Sequence, residues 1–219
     1  MATTERADGQ PALSGQEPLT AAESIARQED LSGTPPLVQT PSQTIGPFFG
    51  FALPFEGGPE LVPATAPGAI RLHGTVFDGA GEPVPDAILE LWQADEGGNI
   101  VQEPGSRYRA RGVFTGFGRA AVLADGTFEF LTLLPGPVAS GARYAVLTLF
   151  ARGLTHHLIT RAYFVAEGEA EPTDALLERV DADRRGTLLA RQDGPASYRF
   201  DVRIQGDGET VFLDYPGPR

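Results

Sequence analysis

The chain contains no cysteine and only three histidines, His73, His156 and His157, in 219 residues. The first absence excludes disulfides, zinc–thiolate sites and thiol catalysis. The second leaves little for a metal. Two imidazoles share one face of a strand only at i, i+2 spacing, because side chains alternate sides. His156 and His157 are neighbours, so on a strand they point opposite ways, and no Asp or Glu stands at ligand-like spacing from them. Long apolar runs are also missing. None approaches the length that spans a bilayer, and the N-terminal residues carry no signal-peptide core, so the cytoplasm is the expected compartment. Basic residues are outnumbered, 17 against 29 acidic, for a net charge of −12. That balance argues against nucleic acid or an anionic membrane as partner. Ser-His-Asp order, Gly-x-Ser-x-Gly and phosphate-binding glycine loops are absent as well.

What is present reads as one β-rich domain with appendages. Residues 1–36 are polar, acidic and poor in aromatics, a composition that predicts a mobile or partly docked extension with at most a weak helix over 21–28. Residues 37–68 are rich in Pro and Gly with scattered Phe, which predicts an ordered loop lying on another surface. From residue 69 onward strand alternation takes over. Ile70, Leu72, Gly74 and Val76 share one face of the first strand. A second strand runs over 87–95, and an Arg- and Gly-rich connection follows to Gly118. Residues 119–124 and 127–133 flank Asp125-Gly126 and read as a hairpin. Strands follow over 144–150, 158–165 and 198–204, the last with Tyr198, Phe200, Val202 and Ile204 inward, and another is expected over 210–214. The best helix candidate is 172–180, capped by Thr173 or Asp174, with Leu176, Leu177 and Val180 on one side. Many short strands and little helix predict an all-β fold, an antiparallel sandwich with long loops and one or two short helices.

Several segments together resemble one family. Thr40-Pro-Ser-Gln-Thr-Ile-Gly-Pro-Phe-Phe49, Leu72-His-Gly-Thr-Val-Phe-Asp78, Leu89-Glu-Leu-Trp-Gln-Ala-Asp-Glu-Gly-Gly98, Thr148-Leu-Phe-Ala-Arg-Gly153, Thr160-Arg-Ala-Tyr-Phe164 and the run from Tyr198 to Asp214 are similar, in order and spacing, to the intradiol ring-cleaving dioxygenases. The likeness covers roughly 38–215. It implies an oxidoreductase that opens a catechol ring with O2, using non-haem Fe(III) held by two tyrosines and two histidines. In this chain those four places are Ile100, Val138, Tyr144 and Val146. The resemblance therefore implies the non-metal α-type subunit of a two-chain member. Fe(III) would sit in the β-type partner of an (αβ)n assembly, the loop over 37–68 would lie on that partner's surface, and 3,4-dihydroxybenzoate would be the substrate.

The same resemblance assigns Thr44, Gly46, Pro47 and Arg152 to the substrate pocket, with no catalytic residue in this chain by itself. Arg152 has a physical rationale, because a planar, permanently charged guanidinium suits a benzoate carboxylate. The bland alternative for Arg152 is a surface ion pair. Tyr108 reads better as loop packing than as an iron ligand, and Tyr144 as filling where metal would sit. Two other functions stand beside this one: a non-enzymatic small-molecule-binding β-sandwich, and a self-sufficient enzyme using Tyr108, Tyr144 and His157.

Overall fold

The structure, a computed structural model, describes residues 43, 44, 46, 49–101, 113–138 and 141–215. The expectations for residues 1–36, for Pro47 and for Tyr108 lie outside the described residues. Among the described residues a four-residue helix, α1 (Phe49–Ala52), precedes nine strands: β1 (Ala69–Phe77), β2 (Ile88–Gln93), β3 (Phe117–Ala121), β4 (Thr127–Leu133), β5 (Tyr144–Phe150), β6 (Leu158–Val165), β7 (Leu189–Gly194), β8 (Ser197–Arg199) and β9 (Val202–Arg203). Two 3-10 turns, Leu177–Arg179 and Arg185–Leu188, lie between β6 and β7.

The all-β expectation holds, and the pairing adds detail to it. The strands form one sheet in the order β3-β2-β5-β6-β7-β8-β1-β4, with β9 beside β1. Most neighbours are antiparallel, but β6/β7, β1/β8 and β1/β9 run parallel. Inward residues of both halves of the sheet meet in one core. Leu89 and Leu91 of β2 and Leu147 and Leu149 of β5 join Leu72, Val76, Phe128 and Phe130 of β1 and β4. Each such side chain, fully buried, is worth about 1.5–3 kcal/mol, so this shared interior dominates the turns energetically.

Three local readings change. The Asp125-Gly126 turn forms, with Gly126 at φ +80° and its N–H donating to the Leu123 carbonyl at 2.9 Å. Its flanks, however, pair outward, β3 with β2 and β4 with β1, so the turn passes between the two halves of the sheet. The helix expected over 172–180 shortens to the 3-10 turn at Leu177–Arg179. Leu177 is buried and Leu176 and Val180 pack beside it, so the apolar side was read correctly while the helix length was not. Residues 210–214 are not a strand; single bonds hold them, such as Leu213 N–H to the Ile159 carbonyl at 2.7 Å.

Gly74 shows why β1 needs a glycine. A Cβ there would lie 1.9 Å from the Phe200 carbonyl oxygen, because β1 accepts the segment between β8 and β9 against its edge. The Phe200 N–H donates to the His73 carbonyl at 2.8 Å.

Candidate functional site

The sheet brings the sequence-derived positions together at two opposite ends of the β2, β5 and β6 strands. At one end, β2 gives way to a turn in which Asp95 Oδ1 accepts the N–H groups of Gly97 and Asn99 at 2.9 and 2.8 Å. The Asn99 side chain contributes most to holding the Asp95 carboxyl below its ordinary pKa. Ile100 follows this turn and is exposed. The Pro-Gly-Pro turn before Val138 sits directly against it. A Cβ on Gly98 would lie 2.2 Å from the Pro137 carbonyl, and the Gly136 N–H donates to the Asp95 carbonyl at 2.8 Å. Tyr144 and Val146 begin β5 on one face, opposite Tyr163 and Arg161 of β6, and Val146 also lies opposite Trp92 of β2.

The side chains that fill this end were not picked out from the sequence. The Arg161 guanidinium lies over the Tyr144 ring, 4.1 Å from its centroid. It donates to the Tyr163 hydroxyl at 3.2 Å and to Asp174 Oδ2 at 3.4 Å. The Tyr163 hydroxyl donates to the same oxygen at 2.8 Å. Asp174 Oδ1 accepts the Leu176 and Leu177 N–H groups at 2.9 and 2.8 Å. So Asp174 does cap the turn at 174–177 as expected, but its other oxygen secures a half-buried cation. Burial pushes the Tyr163 phenol well above its ordinary pKa of 10, and the bond to Asp174 adds to the rise. Burial would lower the Arg161 pKa, yet the bond to Tyr163 and the neighbouring Tyr144 and Tyr215 raise it overall. The sequence signal was an Arg-x-Tyr alternation on one strand face with an acid 13 residues beyond the Arg, which no local pattern distinguishes from solvent charges.

At the other end, the turn from β5 to β6 carries Arg152. The Gly153 N–H donates to Thr44 Oγ1 at 2.9 Å, tying the N-terminal loop to this turn. Arg152 Nη2 pairs with Asp86 Oδ2 at 3.2 Å, with 58% of the Arg152 side chain exposed. Asp86 precedes β2 and takes a left-handed φ of +58°, a conformation that non-glycine residues rarely adopt. Gly46 also has positive φ, +72°, the backbone freedom only glycine supplies without strain. Beside this corner a cavity of about 150 Å³ is lined by Phe150, Ala151, Leu154, Thr155, His156 and His157. The His157 ring lies 5.6 Å from that of Phe150. His73, on the outer face of β1, meets Asp193 Oδ2 through Nε2 at 2.9 Å.

The sequence model of the Dioxygenase family matches residues 47–206, which take in every strand of the sheet described above. The chain belongs to the intradiol dioxygenase family of oxidoreductases. Within it, the chain is 41% identical over 200 residues to the protocatechuate 3,4-dioxygenase alpha chain of Pseudomonas putida, covering 82% of this chain and 98% of that one. The alpha chain from Burkholderia cepacia is likewise 41% identical, over 81% of this chain and 98% of its own. The beta chain from Burkholderia cepacia is 28% identical, over 64% and 66% of the two chains. Among solved structures, catechol 1,2-dioxygenase from Acinetobacter sp. ADP1 aligns at 18% identity over 88% of this chain and 72% of that one, with a TM-score of 0.48.

The family is iron-dependent, and the donor set here does not fit a ferric ion. Ile100, Val138 and Val146 have no donor atom. Tyr144 has one, but a guanidinium covers its ring. Among the described residues, no group of three or more His, Cys, Asp or Glu side chains converges. Among the described residues there is also no helix long and apolar enough to cross a membrane.

Proposed function

We propose that this chain is the α-type subunit of a protocatechuate 3,4-dioxygenase, working in a cytoplasmic (αβ)n assembly. In this reading Fe(III) is held by the β-type partner. The assembly opens 3,4-dihydroxybenzoate between its hydroxyl-bearing carbons, with O2, to 3-carboxy-cis,cis-muconate. This chain binds and orients substrate: Arg152 faces the carboxylate, while Thr44, Gly46 and Pro47 bring the N-terminal loop against the ring. No step of the reaction runs through a metal on this chain.

One observation carries the proposal. Arg152 and the metal-like end lie at opposite ends of β5, eight residues apart and so separated by roughly 25 Å of extended chain. Arg152 cannot serve a reaction centre at its own chain's Tyr144 end. Its exposed guanidinium, held by Asp86 and next to the Thr44-anchored turn, supports a role in completing a site on a neighbouring chain. A contact made there is charge-assisted and bidentate, the kind that fixes a carboxylate's orientation.

The test is reconstitution. This chain purified by itself should be inactive and iron-free, and co-expression with a β-type chain should give an active, iron-containing complex. Arg152→Ala in that complex should raise KM for 3,4-dihydroxybenzoate by about 1.5–3 kcal/mol of lost contact, or roughly 10- to 150-fold, with iron content unchanged. An unchanged KM rejects the role of Arg152. Stoichiometric iron on the isolated chain, or a tyrosinate–Fe(III) colour, rejects the division between subunits. A host in which no β-type chain co-purifies favours the non-enzymatic binding module.

A further inference from the structure

We propose that Arg161 is a resident cation that keeps the Tyr144 end of the sheet closed to metal ions, so that ligand loss is not the only barrier there. Three observations carry this. The guanidinium sits 4.1 Å from the Tyr144 ring centroid, and Arg161 is the register partner of Val146 on the neighbouring strand, so Arg161 stands beside the i, i+2 positions at which two imidazoles would share a face. The anionic donors nearby are already used. Asp174 accepts two backbone N–H groups on one oxygen, and Tyr163 and Arg161 on the other. The Tyr163 phenol is held in its protonated form by burial, so it offers no phenolate. Finally, Arg161 Nε is buried with no hydrogen-bond partner. A buried, unpaired charged donor is costly, which marks the arginine as more than a surface charge folded inward. A second cation brought to positions 144 and 146 would meet a like charge at short range, whose one carboxylate partner, Asp174, is already engaged, in surroundings that screen it poorly.

The inference predicts that restoring ligands is not sufficient. The probe is Ni²⁺, titrated calorimetrically into the full chain, with the wild type as background for its own histidines. Tyr144→His/Val146→His should bind Ni²⁺ no tighter than wild type. Adding Arg161→Gln should tighten binding at least tenfold, whereas adding Arg161→Lys, which keeps the charge, should leave it as weak as in the double variant. Where Arg161→Gln does not fold, judged by far-ultraviolet circular dichroism, Arg161→Met takes its place in the same background. The inference is overturned if the double variant binds as tightly as the variant lacking the charge. It is equally overturned if Lys at position 161 permits the same tightening as Gln, or if removing the charge changes nothing.

Discussion

Two arginines stand at opposite ends of the same strands, each paired with one aspartate, and they do opposite work. Arg161 is largely shielded, 18% exposed, beside Asp174 at 1%, whereas Arg152 and Asp86 face solvent at 58% and 30%. The buried pair is locked by a tyrosine hydroxyl, an aromatic face and two backbone N–H groups. Among the described residues the exposed pair shows a single contact, so most of the guanidinium's donors stay open to a ligand. Desolvation makes the first pair structural, since neither partner can leave without stranding the other's charge. Solvent makes the second pair weak, and a weak pair is one that a ligand carboxylate can join.

The widest separation between the two should come from removing the acids. Asp174→Ala strands the Arg161 charge, the Tyr163 hydroxyl and two turn N–H groups, and should cost about 3–5 kcal/mol in urea denaturation. A loss under about 1 kcal/mol would erase the distinction between the ends. Next is Tyr163→Phe, which removes a hydrogen bond to a carboxylate and should cost about 1.5–3 kcal/mol in the same assay. If Tyr163→Phe costs nothing, Asp174 is held by the backbone alone.

The contrast between these ends also separates what the sequence revealed from what it concealed. Strand positions were legible because alternation is local: Ile70, Leu72, Gly74 and Val76 are all buried in β1, and β5 and β6 span 144–150 and 158–165. Tyr198, Phe200 and Val202 face inward as read, although the chain bends between β8 and β9 and forms two short strands. Parallel pairings such as β1 with β8 were not legible, since they join residues more than 120 positions apart. The short helix at 172–180 was over-read: the cap at Asp174 and the apolar side are both there, but they serve a single 3-10 turn. Likewise, the Thr44 to Gly153 bond spans 109 residues; only the resemblance pointed at both. The Arg161 network was invisible because Arg, Tyr and Asp on a strand face and a turn look the same whether they meet solvent or each other.

A pH titration sharpens the comparison from the buried end. The Tyr163 pKa is raised in the folded chain, foremost by burial, so its contribution to stability is complete below the unfolded value near 10 and is lost as pH rises above it. Stability should therefore fall on the alkaline side, and Tyr163→Phe should flatten that fall. Ultraviolet titration of the folded chain should show Tyr163 and Tyr198, which burial also raises, ionising above the ordinary tyrosine value of 10. On the acid side the sign reverses. Asp193 is lowered, first by the Ser197 side chain and then by His73, and its contribution is lost as pH falls below the ordinary carboxylate value of 3.8. His73→Ala should make the acid limb shallower; an unchanged limb would remove His73 from that account.

The smallest expected effect belongs to Asp86, and it tests the exposed end most directly. Asp86→Asn should change unfolding stability by no more than about 1 kcal/mol, the range of solvent-facing ion pairs. Its consequence should appear in the αβ complex instead. Arg152 Nη2 is the atom bound to Asp86, so the remaining donors of the fork stay directed away from the pair. Asp86 therefore orients the guanidinium and does not block it. Freeing a long side chain costs about 0.5–1.5 kcal/mol when it must be ordered again on binding, so KM for 3,4-dihydroxybenzoate should rise about two- to tenfold with kcat unchanged. Asp86→Glu, which keeps the charge, should recover part of this. A fall in KM would mean that Asp86 competes with the substrate for Arg152. A stability loss matching that of Asp174→Ala would mean that the two arginine–aspartate pairs are not different in kind.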